Sequence, residues 1–338
     1  MPNNVMMMSE TYNWLVNIDS LNFEDKSALI VGGSEISRQY ALGLIGLGIK
    51  DITVIAKKGE YISKFCEENN IELHRGGFEK NIDSIKRKDI AIIAPPIPDT
   101  LQAARMAIKK GQKNILIEKP GSLYHTELIS LAKEYSHVDI RVAYNRLAYP
   151  NFHKLKELVS REGGITSCRF TFTERLSTMD FEKDEPDVYM RWGISNSLHV
   201  ISMALELIGM PREIHCYQYG KIDWHPTGSI FVGDGLSENN IPFSYHADWG
   251  SGGRWGVEVN TRENSYQLIP LEDLFACKRD TGTWNKIEFE RTFPDVKQGF
   301  SEEIAIMLDE SGRFRDCLPS LAKAAQYNKI AEEIFGYS

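Results

Sequence analysis

Lys119 stands directly after the run Ile115-Leu116-Ile117-Glu118 and directly before Pro120-Gly121. A charged pair at the end of an apolar strand is a poor choice for packing, which makes its chemistry the first question. Pro120 disfavours the helical region for the residue before it, and so limits the directions open to the Lys119 side chain. An ammonium held there, partly desolvated or near another cation, can exchange its proton near neutrality. An exposed loop lysine is the alternative reading of the same residue.

His199 is a second candidate base. The spacing of Asn196-Ser197-Leu198-His199-Val200-Ile201 through Ile208, closed by Gly209, predicts a capped amphipathic helix over 196–208. In its first turn the helix dipole disfavours an imidazolium and keeps the ring neutral. Ser195 lies four residues earlier and can share that face. Trp192 is placed to form a wall for substrate or cofactor. For His199 a purely structural role is the competing reading.

A third constellation suits a phosphate. Ser27-Ala28-Leu29-Ile30-Val31 predicts a buried strand running into Gly32-Gly33-Ser34-Glu35-Ile36-Ser37. Laid on G-x-G-x-x-G, only Gly32 matches; Ser34 and Ser37 replace the second and third glycines. The following helix still offers free N–H groups to an anion. At the end of the next strand, Ala56-Lys57-Lys58 has two ammonium groups and no acid. That favours NADP over NAD, because an acid there ordinarily receives the ribose 2′-hydroxyl whereas cations suit a 2′-phosphate. A tight turn with no ligand and a solvated lysine pair are the bland alternatives.

These residues need a scaffold, and the hydrophobic pattern supplies one. Strands are predicted at 27–31, 51–56, 71–74, 89–94, 114–118 and 139–143, with helices at 37–47, 61–69, 100–110 and 127–135 between them. Alternation of this kind implies parallel pairing with right-handed crossovers, hence a doubly wound α/β domain over 26–148. Residues 1–25 read as an extension with a short helix near 10–16. After a helix at 152–161 come strands at 165–173, 213–219, 229–232, 243–249, 254–260 and 266–269. Their short links predict a second, α+β domain over 149–338 with a mainly antiparallel sheet. Glu174-Arg175 reads as a surface ion pair, and Gly250 to Trp255 as a turn beside a core indole.

Composition narrows the function classes. The 338 residues carry 39 basic and 47 acidic side chains, a net charge of −8, which argues against a nucleic-acid binder. No uncharged apolar run reaches roughly 18 residues, so no membrane-spanning segment is expected. Residues 1–19 contain no basic residue and do not resemble a secretory signal. The five cysteines are scattered, without metal-ligand spacing, which suits a reducing cytoplasm and predicts no metal site.

In order along the chain, Ile30 to Arg38, Ile92-Ile93-Ala94-Pro95-Pro96, Glu118-Lys119-Pro120, Ala143-Tyr144-Asn145-Arg146, the segment around His199, Gly299 to Glu303 and Cys317-Leu318-Pro319 resemble the glucose–fructose oxidoreductase and inositol dehydrogenase (Gfo/Idh/MocA) family. The resemblance covers nearly the whole chain after residue 26. It implies a Rossmann domain and hydride transfer between a nicotinamide and a carbon of a sugar, polyol or nucleotide-linked sugar. Lys119 and His199 would be catalytic. Gly32, Gly33, Ser34, Glu35, Ile36, Lys57, Lys58, Ala94, Pro95, Pro96, Glu118 and Lys119 would meet the cofactor. Asn145, Arg146, Trp192, Ser195 and Asn196 would line the carbohydrate site. Many family members carry acids where Ser195 and Ser202 stand here, which leaves proton transfer to Lys119 and His199. A homodimer or homotetramer is expected. Two other readings remain: a non-catalytic or regulatory ligand-binding protein on the same scaffold, and an imine or tetrapyrrole reductase of the same fold.

Overall fold

The computed structural model describes residues 2–337. It divides into two compact units, one formed by residues 15–148 with 291–325, the other by 1–14, 149–290 and 326–338. Each is a layered α/β structure.

In the first unit six parallel strands, β1 (Ser27–Val31), β2 (Asp51–Ala56), β3 (Glu72–Arg75), β4 (Ile90–Ile93), β5 (Asn114–Glu118) and β6 (Asp139–Ala143), lie in the order β3-β2-β1-β4-β5-β6. The order reverses between β1 and β4, where a doubly wound sheet opens its ligand crevice. The central strands are apolar because helices cover both faces: Ile90–Ile93 and Ile115–Ile117 are fully buried. The helix expected from residue 100 starts at Ile97, with Pro98 in its first turn. Proline there loses no helical hydrogen bond, so the proline-rich loop is also the helix start.

The sequence pattern assigns everything after residue 148 to the second domain. The structure instead groups 291–325 with the six-stranded parallel sheet. Asn114 Nδ2 donates to the Met307 carbonyl (2.7 Å), Arg315 Nη1 to Asn114 Oδ1 (3.0 Å), and the Val142 N–H to the Pro319 carbonyl (2.9 Å). The helix Phe300–Leu308 packs on Glu35–Gly46, where Gly43 allows close approach: a Cβ there would lie 3.0 Å from Ile304 Cδ1.

The other unit is an eight-stranded mixed sheet. Its strands are β7 (Ser167–Phe172), β8 (Pro211–Tyr219), β9 (Ile230–Ser237), β10 (Pro242–Asp248), β11 (Trp255–Asn260), β12 (Asn264–Leu268), β13 (Phe275–Lys278) and β14 (Trp284–Lys286). The order is β14-β13-β12-β11-β7-β10-β9-β8, antiparallel except where β7 meets β10. Phe170, Phe172, Phe231, Phe243 and Tyr245 are buried, while Tyr217 and Tyr219 are exposed on β8. β13 and β14 escaped the sequence because neither is more than four residues long or alternates in burial. β9 runs past its expected end at 232 through Gly233 and Gly235, which stand in register with Tyr245 and Phe243. The rings occupy the glycine surfaces, and a Cβ on Gly235 would fall 2.5 Å from Phe243 Cζ.

The N-terminal helix Pro2–Leu15 is longer than the short one expected. Tyr12 fastens it to this second unit, its ring under the Lys154 ammonium at 4.7 Å and its hydroxyl accepting from the Glu290 N–H at 3.3 Å.

Asn114→Ala would strip the Met307 carbonyl of its donor inside the protein. We expect a loss of about 1–3 kcal/mol in urea unfolding; a change below about 0.5 kcal/mol would mean that this amide does not anchor the 291–325 segment.

Candidate active site

At the carboxyl end of β1 the backbone itself dictates glycine. Gly32 has φ +144°, and a Cβ would overlap the Ala94 carbonyl oxygen. Gly33 lies against Ala56, where a Cβ would meet the alanine methyl at 2.7 Å. The turn thus brings the ends of β1, β2 and β4 together. Ser34 precedes the helix in extended conformation, and the first intrahelical bond runs from the Arg38 N–H to the Ser34 carbonyl (3.1 Å). The N–H groups of Glu35, Ile36 and Ser37 lie before it, as an anion requires.

Ser37 replaces a glycine, and its hydroxyl is buried with no hydrogen-bond partner among the described residues. It lies beside the space a Gly32 side chain would take, 2.6 Å from that position. An orphaned donor next to a glycine cradle at a helix N-terminus fits a dinucleotide pyrophosphate. Glu35 is the one anion on this turn. Tyr61, Gln39 and Arg38 hold its exposed carboxyl, which lowers its proton affinity, with the Tyr61 hydrogen bond contributing most.

At the end of β2, Lys57 and Lys58 are exposed. A third cation joins them that the sequence reading missed. Arg75 ends β3 in register with Ala56, packs on Gly59 and donates to Ser63 Oγ at 2.6 Å. Only strand pairing reveals it, since it lies 17 to 18 residues from the lysines. Ala94 closes the β4 end, its N–H donating to the Val31 carbonyl (2.7 Å), and Pro95 and Pro96 lead into the next helix.

Glu118 and Lys119 sit at the end of β5, on the same edge of the sheet. The Lys119–Pro120 peptide bond is cis. The Tyr40 hydroxyl donates to Glu118 Oε2 at 2.6 Å. Glu118 itself is half-buried at the end of the strand. Burial pushes its proton affinity up, opposed by Lys119, the Tyr40 hydrogen bond, Lys297 and Arg146. Asn145 begins a short 3₁₀ turn after β6 and is buried. Its amide is committed to the Gln298 carbonyl (3.0 Å), a structural bond that holds the start of the helix Phe300–Leu308.

The second unit builds its candidate site around a π-helical turn, Gly193–Ser197, that runs directly into the helix Leu198–Ile208. His199 is therefore not at a free helix N-terminus. Helical backbone continues upstream of it, so the dipole argument from the sequence carries less force than expected. Turns of this kind interrupt helices often at functional sites. Here the cause is visible. Gly193 lies under the Phe335 ring, where a Cβ would overlap, and its N–H donates to the Tyr337 hydroxyl at 3.0 Å. Below the turn, Glu174 accepts from Asn196 Nδ2 (2.8 Å) and Ser197 Oγ (2.6 Å).

Glu174 was expected in a surface ion pair. It is buried, and both its oxygens position the turn. Ser195 Oγ lies 3.3 Å from the Trp192 carbonyl, and Ser202 Oγ bonds back to the His199 carbonyl at 3.2 Å. Trp192 stacks on Tyr189 with centroids 5.7 Å apart, and its indole Nε1 is buried without a partner among the described residues. The His199 ring lies 5.8 Å from that of Trp255, so the indole expected beside a turn borders the histidine as well. An open cavity lined by Thr166, Asn264, Lys278 and Arg279 contains none of these residues. Among the described residues no cluster of three His, Cys, Asp or Glu side chains could hold a metal ion, and no helix is long and apolar enough to cross a membrane.

Comparison with known proteins bears on the fold and on the first unit. A family model described as putative NAD(P)-binding matches residues 20–119. No curated protein matches the chain in sequence. Among solved structures it is similar to UDP-N-acetylglucosamine 3-dehydrogenase from Acidithiobacillus ferrooxidans, at 13% identity and TM-score 0.70, over 92% of this chain and 97% of that one. It is also similar to a levoglucosan dehydrogenase in complex with NADH and levoglucosan, at 16% identity and TM-score 0.70, over 91% and 95%. A putative NADPH-dependent oxidoreductase from Desulfitobacterium hafniense matches at 14% identity and TM-score 0.71, over 90% and 93%. The chain shares its overall architecture with these solved structures. The likeness spans almost the whole chain and concerns the fold, while the family model covers the first unit's strands β1 to β5.

Glu174→Ala would leave the Asn196 amide and Ser197 hydroxyl without their acceptor. We expect about 1–3 kcal/mol of destabilisation in chemical denaturation and faster hydrogen exchange across residues 193–199. Unchanged exchange there would show that the π turn is held without Glu174.

Proposed function

We propose that this protein is an NADP-preferring oxidoreductase that transfers a hydride between nicotinamide and a carbohydrate carbon bearing a hydroxyl, with Lys119 as the residue that handles the proton. The observation that carries the reading is the placement of Lys119 at the carboxyl edge of the Rossmann sheet, the edge that also holds the Gly32 turn. When bound, the cofactor supplies a hydride acceptor or donor at its nicotinamide ring. Everything else is asked of side chains.

Gly32, Gly33, Ser34, Glu35, Ile36 and Ser37 would receive the pyrophosphate through backbone N–H groups and the Ser37 hydroxyl. Lys57, Lys58 and Arg75 would pair with a 2′-phosphate, and Ala94, Pro95 and Pro96 would border the dinucleotide. In the oxidative direction Lys119 Nζ, as the free amine, takes the proton of the substrate hydroxyl while that carbon gives up its hydride. In the reverse direction the ammonium returns it.

His199 would be a second proton-exchanging or oxygen-binding group. Arg146, Asn196, Ser195 and the Trp192 indole N–H would contribute polar contacts to a sugar, whereas Asn145, expected among them, is engaged with the Gln298 carbonyl. The names of two similar structures support a carbohydrate, since one acts on UDP-N-acetylglucosamine and the other holds levoglucosan. Assembly as a homodimer or homotetramer belongs to the same proposal, with the exposed Tyr217 and Tyr219 of β8 as the surface to consider. So does a cytoplasmic setting. The serines at 34, 37, 195 and 202 favour one competing reading, a non-catalytic ligand-binding protein.

Lys119→Ala is expected to lower kcat by about 100-fold or more while NADPH still binds, measured by fluorescence titration. Wild-type turnover in that variant, assayed on a panel of sugars, polyols and nucleotide sugars, would overturn the mechanism. If neither NADPH nor NADH bound the wild-type protein, the non-catalytic reading would replace it. The triple variant Lys57→Glu, Lys58→Glu, Arg75→Ala should weaken NADPH binding at least tenfold and leave NADH within about threefold, as loss of three charge partners to one phosphate requires. Equal loss for both cofactors would place these cations elsewhere.

A further inference from the structure

The helix Phe300–Leu308 buries two adjacent glutamates, Glu302 and Glu303, at 4% and 0% exposure. Glu302 has an evident structural role, since it accepts from the Gly299 N–H at 2.9 Å and caps the helix. Burial raises its proton affinity to about 7, opposed by its own and the Gly299 backbone N–H groups and by Arg291. Glu303 caps nothing. Neither of its oxygens has a well-formed hydrogen bond among the described residues, although the Tyr40 hydroxyl lies near enough to lower its proton affinity. Tyr40 has one proton to donate, and it goes to Glu118.

A bare carboxylate in that position would be costly to desolvate, and two carboxylates on one hydroxyl would repel each other. Protonation of Glu303 removes both difficulties. Its O–H can then donate to the Tyr40 oxygen, whose lone pairs are otherwise unused, while the Tyr40 O–H continues to serve Glu118. The charged groups around the pair are few. Lys119, Lys297 and Arg146 act on Glu118, and Glu302, Lys297 and Glu118 act on Glu303. Burial, then the charge of Glu118, raise the proton affinity of Glu303 well above that of a free carboxyl. The Tyr40 phenol is raised well above its ordinary range too, chiefly by burial, so it passes a proton along without becoming an anion.

We propose that Glu303 and Glu118 share a single proton through the Tyr40 hydroxyl, and that this keeps the net charge beside Lys119 at minus one. Transfer is balanced: as Tyr40 gives its proton to Glu118 it takes the one on Glu303, and nothing leaves the trio. Glu303 and Tyr40 are positioning residues, acting on Lys119 only through Glu118. The functional consequence rests on the reading of Lys119 as the proton-handling residue, but the sharing itself does not.

The test is a stability titration combined with the reactivity of one amine. Glu303 binds its proton more tightly folded than unfolded, so its contribution to stability is present below the unfolded carboxyl range and is lost as pH rises towards the folded value. Wild-type melting temperature should therefore fall, relative to Glu303→Gln, by about 4 °C or more between pH 4.5 and pH 8. The variant keeps the smaller slope due to Glu302. Tyr40→Phe preserves the ring contact with Phe300, at 4.7 Å between centroids, and deletes only the relay. In that variant Glu118 loses its donor and retains its proton to higher pH, so the midpoint of Lys119 acylation by acetic anhydride, followed by peptide mass spectrometry, should move down by about half a unit or more.

Parallel stability curves for wild type and Glu303→Gln, or an unmoved Lys119 midpoint in Tyr40→Phe, would each overturn the proposal. Lys119→Ala separates the two questions. Loss of turnover with the Glu303 titration intact supports both readings, whereas retained turnover removes the mechanism and leaves the shared proton standing.

Discussion

A carboxyl group removed from water must find donors or cations, and much of the first unit is arranged around that requirement at Glu118. The strand that delivers it, β5, is apolar up to its last residue, so the charge arrives at the sheet edge with little solvent of its own. Tyr40 reaches it from the helix after the glycine turn, Lys119 from the next position in the chain, and Lys297 and Arg146 act from two other segments. Those segments have to be held in place. The Asn145 amide on the Gln298 carbonyl ties two of them together, and Asn114 and Arg315 secure the chain that follows. The grouping of residues 291–325 with the nucleotide-binding sheet follows from this as much as from apolar packing.

The second unit solves a different problem, how to hold a π-helical turn in front of a helix. Side chains from several segments surround these five residues of π-helix. Tyr337 receives the Gly193 N–H, Phe335 covers the glycine, and Glu174 collects the donors of Asn196 and Ser197. The C-terminus is part of this support. Tyr337 also bonds His225 Nε2 at 2.7 Å and lies under the Arg191 guanidinium, itself paired with Glu332 at 2.7 Å. Burial lowers the His225 proton affinity to about 4, so this anchor stays neutral through the physiological range.

Serine substitution in the nucleotide turn is instructive. The glycine whose loss could not be tolerated, Gly32, is present, because its φ of +144° and the approach of the Ala94 carbonyl exclude a side chain. The third glycine position of the motif is Ser37, where the structure has room for a hydroxyl beside Gly32. The motif is thus eroded only where geometry permits.

The amino-acid pattern by itself determined the alternating strands and helices of the first unit, the full span of β1, β2, β5 and β6, the mainly antiparallel second sheet, and the glycine turn at Gly32. Those features depend on local periodicity or on turn chemistry, both of which are contiguous in the chain. Tertiary structure decided what depends on residues far apart. Arg75 reaches the lysines only through the pairing of β3 with β2, Glu174 lies buried beneath a π turn, and Glu303 comes under the charge of Glu118 across 185 positions, beside the Tyr40 hydroxyl. Lone charged residues carry no periodicity from which burial could be read. Whether such a residue is a solvated ornament or an enclosed, proton-holding group is fixed by its neighbours in space, and those neighbours are chosen by the fold.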